Sequence, residues 1–377
     1  MSKKPHYTLY GWHLSYFTGK SLCYLRYKRA HFTLKPVNIY TLMVTIKKKT
    51  GEAVMPVLKS DSGAWIQDTS SIIDRIESEI TQRPVVPSTP VHRFLSYWIE
   101  AWGDEWWIPM AMYTRWAFPE NYALFEKEAG SALLPFAPRF LQNRAAAKPA
   151  KMLRGMLPTV GIVPAQYKAM DLYMEHMLNA LDAHFARHPF LLGGRPTLGD
   201  FGLVGTMYGH LARDPWPKKN LIDPRVHLSA WVKRMSNPES YTEGELFAND
   251  EIPDTLIPVI RSIADEFAPM VEQTGQKAAA IAREKGLNKK LPRSVGLTQT
   301  TMAGLPFERH GLGIKVWMAQ RALDSFNHMT TQDQQAVHQF LNQHTAQTLA
   351  NLNLPRVERR ALNIAVTALP TTLEKSA

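Results

Sequence analysis

The sequence predicts an α/β plus all-α protein: a βαβ–ββα domain, a helical second domain and a helical C-terminal extension. Three observations carry this reading. Strand and helix signals alternate over roughly the first eighty residues; the stretch from Pro84 to Pro90 is punctuated by three prolines; and strand signals fade from Val91 onward. At 377 residues the chain is long for one domain. We divide it into residues 5–82, 90–240 and 241–377.

Tyr7 to Trp12 read as a short aromatic strand, and His13 to Phe17 as a tight turn. From Thr18 to Lys28, Leu22, Cys23, Leu25 and Arg26 recur at helical spacing. His31 to Pro36 is a second strand, and Ile39 to Lys48 a helical or irregular piece. Gly51 to Leu58 leads into an apolar strand, which Asp61-Ser62-Gly63 turns into a partner at Ala64-Trp65-Ile66. Thr69 to Glu79 closes the unit as an amphipathic helix, with Ile72, Ile73 and Ile76 on one face.

In the second half, Val91 to Trp116 reads as one long helix dense in tryptophan and tyrosine. Residues 131–165, rich in Pro and Ala, carry no firm assignment. Gln166 to Arg187, Phe201 to Ala212 and Arg225 to Met235 are helical. Composition changes after Asn237-Pro238. Beyond it, Ile252 to Glu284 forms one or two helices and Leu287 to Arg309 is irregular. Ile314 to Asn327, Thr331 to Ala350 and Val357 to Thr367 read as helices.

Hydrophobic content of 45% and charged content of 20% are those of a globular protein. The net charge is +11, but its tightest groups are only Lys47-Lys48-Lys49, Lys289-Lys290 and Arg359-Arg360. With the charge so spread and no nucleic-acid-binding signature, we expect a solvated basic surface and no nucleic-acid partner. Cys23 is the single cysteine, so neither an intrachain disulfide nor a cysteine metal cluster can form, which suits a reducing cytosol. The N-terminus lacks the apolar core of a signal peptide, and no run reaches the roughly 18 apolar residues of a membrane span. The expectation is a cytoplasmic protein with no membrane association and no metal.

The turn before the first helix draws attention for its chemistry. A helix N-terminus presents free N–H groups and a positive dipole end, where a hydroxyl or thiol ionises more readily. Ser15 is placed there, with Tyr16 and Thr18 as competitors and Tyr7 and Tyr10 in the preceding strand. Cys23 lies inside the helix beside Leu22 and Leu25, a core position where thiols are inert. Asp104 and Glu105 are adjacent, so on a helix they point about 100° apart and do not read as a carboxylate pair.

Three motifs carry a family resemblance: Val54-Met55-Pro56-Val57-Leu58, Gln67-Asp68-Thr69-Ser70-Ser71-Ile72, and Pro189-Phe190-Leu191-Leu192-Gly193-Gly194-Arg195-Pro196-Thr197-Leu198-Gly199-Asp200. In this order and spacing they resemble the cytosolic glutathione S-transferases, most nearly the serine-type zeta, theta and beta-like members, over roughly residues 5 to 240. The resemblance implies a thioredoxin-like first domain and a transferase-type helical second domain. It implies a cis Pro56, an extended glutathione pairing with the Met55 backbone, and Asp68 and Thr69 holding its γ-glutamyl end. Asp-Thr departs from the family's usual Glu or Gln followed by Ser. Thr69 is equally a plain helix cap, and Thr197 to Asp200 a structural capping arrangement.

The implied reaction is attack of glutathione thiolate on a small electrophile. Ser15 is then the hydroxyl that aligns best as thiolate-stabilising donor, and the partner implied is a second copy in a homodimer. In the family the aromatic helix, with Met110, Met112 and Arg115, would line the pocket for that electrophile; core packing is its other reading. The alternative function is a non-catalytic binding or scaffolding protein of the same fold. Glutathione-dependent isomerisation or reduction is a third.

Overall fold

The computed structural model describes residues 6–237 and 244–370. The first unit runs β1 (His6–Tyr10), α1 (Tyr16–Tyr27), β2 (His31–Lys35), a π-helical turn over Thr41–Ile46, α2 (Lys47–Thr50), β3 (Val57–Ser60), β4 (Trp65–Gln67) and α3 (Thr69–Glu79). The strands form one sheet in the order β2-β1-β3-β4, with β1 parallel to β2 and antiparallel to β3, and β3 antiparallel to β4. This is a thioredoxin-like arrangement. The triple-isoleucine face of α3 and Leu22, Cys23 and Leu25 of α1 are buried together in the main core.

The helical domain follows as α4 (Pro90–Glu105), α5 (Ile108–Ala117), α6 (Glu120–Leu133), α7 (Arg139–Gly155), α8 (Tyr167–Phe185), α9 (Leu198–Thr206), the one-turn α10 (Pro215–Pro217) and α11 (Val226–Ser236). The predicted single helix from Val91 to Trp116 is broken after Glu105. Pro109 sits at the second position of α5 and has no N–H to continue the ladder. The Glu105 carbonyl that such an N–H would meet accepts instead from Arg309 Nη1 at 2.9 Å. The unassigned Pro- and Ala-rich stretch is largely α7, with Pro149 inside it.

Residues beyond 240 add α12 (Ile257–Ser262), α13 (Ala268–Lys285), β5 (Leu297–Met302), β6 (Leu305–His310), α14 (Gly313–Asn327), α15 (Thr331–Gln343), α16 (Thr348–Asn351), β7 (Arg356–Arg360) and β8 (Asn363–Ala368). Two expectations fail here. The segment read as irregular, Leu287 to Arg309, contains the strand β5 and most of β6, which pair antiparallel; the segment read as a helix, Val357 to Thr367, is the hairpin β7–β8. The first hairpin turns through Ala303 and Gly304, both at positive φ, so one glycine marked it; the second turns through Ala361, at positive φ without the Asn, Asp or Gly that would have announced it. Burial alternates along β7 and β8, with Val357, Ile364 and Val366 inward.

The extension is not an appendage. Trp98, Trp102, Trp106 and Trp107 of the aromatic segment are fully buried, and Phe267 and Phe307 from beyond residue 240 meet the Trp106 ring at 6.1 and 5.9 Å. These indoles are core, not a pocket lining. On its other side α4 crosses α9 at two glycines. A Cβ on Gly103 would stand 2.5 Å from the Gly202 carbonyl carbon, and one on Gly202 would stand 2.7 Å from the Glu100 Cα.

Candidate functional site

The site is built around the start of α3. Asp68 ends the β4–α3 connection with φ 83° and ψ 136°, a conformation that costs a non-glycine residue and is kept only where its surroundings enforce it. Asp68, not Thr69, is the N-cap: its Oδ1 accepts from the N–H groups of Ser70 (3.0 Å) and Ser71 (3.2 Å). Thr69 is the first helical residue, with 2% exposure. One residue earlier, Gln67 donates its Nε2 to the Val54 carbonyl at 3.0 Å, tying the loop that carries Met55 to the end of β4. The Met55–Pro56 peptide is cis, as the resemblance implies.

These pieces border one cavity of about 450 Å³. Met55, Pro56, Asp68 and Thr69 line it together. Its floor comes from Phe17 of α1, Asp104 and Glu105 at the end of α4, Ile108 and Met156. Its roof comes from beyond residue 240: the loop at Lys290–Arg293, the start of α14 with Met318, and Leu362, Asn363 and Ile364 of the last hairpin. The roof is fastened internally, since the Leu291 N–H donates to the Ile364 carbonyl at 2.8 Å. It is also fastened to the site. Arg359 Nη1 stands 2.6 Å from Asp68 Oδ1, Nη2 donates to the Gln67 carbonyl at 3.0 Å, and the guanidinium lies 4.5 Å from the Trp317 ring centroid. Nothing in the sequence marked Arg359 as a neighbour of Asp68.

Ser15 does not line this cavity. It is the half-buried N-cap of α1, its Oγ accepting from the Thr18 N–H at 3.4 Å. Its backbone packs closely on Gly209. The competing hydroxyls have structural partners or packing. The Tyr16 phenol donates to the Gly103 carbonyl and accepts from Thr206, and burial pushes its pKa well up. Tyr7 donates to Glu79, and Thr18 is wedged against Gly11. Burial pushes the Cys23 thiol up to about 12, which makes it inert. Met110 and Arg115 are absent from the lining; Arg115 instead holds Asp214 at 2.8 Å and donates to the Leu14 carbonyl, bracing the turn before Ser15.

Beneath the cavity lies a buried charge cluster. Lys20 Nζ of α1 contacts Glu100 Oε1 at 2.8 Å and Asp104 Oδ2 at 2.5 Å, and the Ser70 hydroxyl donates to Glu100 at 2.7 Å. Burial opposes the Lys20 charge, but the two carboxylates outweigh it and its pKa is raised. Burial also opposes the Glu100 charge; Lys20 and Arg321 prevail and hold that carboxyl low. For Asp104 burial prevails, aided by the Glu100 charge, and its pKa is raised well above the carboxylate range. Glu105 is raised by burial too, with Lys315 Nζ at 3.6 Å and itself lowered by burial to about 7. Asp104 and Glu105, which helical geometry separates, thus border the same cavity because it lies at the end of their helix, a convergence that spacing alone did not show.

A second depression of about 700 Å³ lies at the start of α4. Of the three acids that line it, Glu245, Asp250 and Glu251, Asp250 caps that helix through the N–H groups of Val91 and His92. Among the described residues no cluster of His, Cys, Asp and Glu is arranged to hold a metal ion, and no helix is long and apolar enough to cross a membrane.

A model of the glutathione S-transferase N-terminal domain matches residues 9–84, and one of the glutathione S-transferase C-terminal domain matches residues 164–234. No curated protein matches the chain. Among solved structures, a glutathione S-transferase from Rhodospirillum rubrum F11 is 16% identical, covering 66% of this chain and 96% of its own, with a TM-score of 0.39. The beta-etherase LigF from Sphingobium sp. strain SYK-6 is 17% identical over 62% of this chain and 97% of its own, with a TM-score of 0.40. The glutathione transferase GSTFuA3 from Phanerochaete chrysosporium is 15% identical over 63% of this chain and 98% of its own, with a TM-score of 0.43. Both domain models of the glutathione S-transferase family thus match this chain, in order, with further residues after the second match.

Proposed function

We propose that the protein binds glutathione in the roofed cavity and directs its thiolate at a small electrophile. The observation that carries this reading is the convergence of the Met55 backbone and the start of α3 on one cavity of about 450 Å³. That is within the range of small-molecule sites, and a bound tripeptide leaves room only for a small second reactant. Among the described residues the N–H and C=O of Met55 carry no backbone hydrogen bond, so an extended peptide can add to them as a strand. The Thr69 hydroxyl and the positive end of α3 suit a carboxylate. Ser15, at the start of α1, is the hydroxyl we assign to stabilising the thiolate, because Tyr7 and Tyr16 are held by other partners and Thr18 is walled in.

A second reading, a binding protein without turnover, is favoured by the place of Ser15 outside the cavity lining. Calorimetry with reduced glutathione separates the possibilities. We expect binding by the wild type and an affinity loss of about tenfold in Thr69→Ala, the scale of one hydrogen bond to a charged group. Absence of heat at millimolar glutathione would end the glutathione reading. If glutathione binds, the thiol pKa of the bound peptide is expected to rise in Ser15→Ala; an unchanged value assigns the protein to the second reading.

A further inference from the structure

We propose that residues 136–155 and 39–49 form one docking face for the surface of an anionic lipid bilayer, on which the protein lies without crossing it. The first segment holds α7, of which only Ala146 and Ala150 are buried. The outward side of α7 carries Arg144, Lys148 and Lys151 at four- and three-residue spacing, which sets them on one face. Beside them Leu141 and Met152 are exposed, and at the start of the segment Phe136 is fully exposed and Phe140 is 71% exposed. No acid occurs in the chain between Glu128 and Asp171. Among the described residues Arg144, Lys148 and Lys151 pair with no carboxylate, so their charge is unspent. The second segment repeats the composition. Ile39, Tyr40, Met43 and Val44 are exposed, and the exposed Lys47, Lys48 and Lys49 follow at once in α2.

Trp12 joins the two segments from beneath. It packs against the small core under α7, which holds Ala146 and Ala150, and against the one that holds Val37 and Ile46. Its Nε1 donates to the Val37 carbonyl at 2.7 Å. Just past the two segments, Val54 and Met156 border one cavity. Together the segments carry most of the exposed large apolar side chains among the described residues, a concentration that marks an interaction surface. Apolar side chains beside unpaired cations are the chemistry of a bilayer interface. The apolar groups enter the acyl boundary, and the long lysine and arginine stems lie along it with their charges at the lipid phosphates. A second copy fits less well, because a two-fold contact would set these cations against one another. A nucleic acid would use the charge but not Ile39, Met43, Val44 or Leu141, which have no ring for a base to stack on. The expectation of no membrane association therefore gives way at this one face.

Co-sedimentation with vesicles tests the face. Vesicles of equal phosphatidylglycerol and phosphatidylcholine are expected to bind the wild type about tenfold or more better than phosphatidylcholine alone, and raised salt to weaken that binding. Phe136→Ser combined with Phe140→Ser is expected to lower binding about tenfold. Lys148→Glu combined with Lys151→Glu is expected to remove the preference for the anionic vesicles, whereas Val226→Ser, at an exposed apolar site on α11, changes nothing. Equal binding to both vesicles, or to neither, overturns the proposal. So does undiminished binding in the phenylalanine variant, the mark of plain attraction between polycation and anion, or a preference kept in the lysine variant. Equal loss in Val226→Ser overturns it too. A dimer in solution that the phenylalanine variant abolishes gives the face to a second copy and also overturns it. The wild type alone supplies an independent readout. Anionic vesicles, and not neutral ones, should slow tryptic cleavage after Lys47, Lys48, Lys148 and Lys151; cleavage at an unchanged rate refutes the docking.

Discussion

Lys20 holds two carboxylates that would otherwise lie buried against each other. Removing the cation from such a cluster leaves uncompensated charge in the core and costs roughly 3–5 kcal/mol. Lys20→Met is therefore expected to lower the denaturant midpoint sharply, with partial recovery in Lys20→Met combined with Glu100→Gln. His184 makes a second prediction at this scale. Burial lowers its pKa to about 4, from 6.5 in the unfolded chain, while its ring nitrogens meet Thr255 and the Phe190 carbonyl. Between those values the unfolded chain binds the extra proton, so stability is present above pH 6.5 and drains away as pH falls toward 4. In His184→Gln the denaturation midpoint should be flatter across that window. Of these residues the sequence showed only the types. Ser15 and Thr69 were legible because helix starts have local signatures. Lys20 was not, because its partners are 80 and 84 positions away.

The crossing of α4 and α9 depends on Gly103 and Gly202 lying backbone to backbone. A methyl group at either place must push apart two buried helices rather than the tip of a flexible side chain. Gly202→Ala is expected to destabilise by about 1–3 kcal/mol, measured by chemical denaturation, without direct effect on the cavity. Elements with local determinants were readable: α3 was bounded to the residue, and the strands around it followed from their apolar alternation. Elements whose determinants are distant or atypical were not. The hairpin β7–β8 turns on an alanine, which carries no turn signal, β5–β6 offers only the single Gly304, and the break after Glu105 is sealed by an arginine some two hundred residues away.

At the scale of the molecule, the region beyond residue 240 both completes the core and lines one side of the site. A chain ending at residue 237 would uncover the aromatic face of α4 that Phe267 and Phe307 now cover. We expect that fragment to expose hydrophobic surface, read as increased binding of an apolar dye, and to melt at lower temperature than the full chain. Sequence reasoning recovered the two family domains because their motifs are local. It left the extension's role open, because that role lies in what the extension touches.

The pairing of Arg359 with Asp68 also bears on time. A roof pinned to the rim of its cavity resists the opening that widens the route of exchange, so we expect residence to depend on that ion pair as well as on contacts to the guest. Trp317, stacked beneath the guanidinium, offers an optical clock for the event. In stopped-flow fluorescence, glutathione should enter and leave Arg359→Ala faster than wild type, and raised salt should narrow the difference.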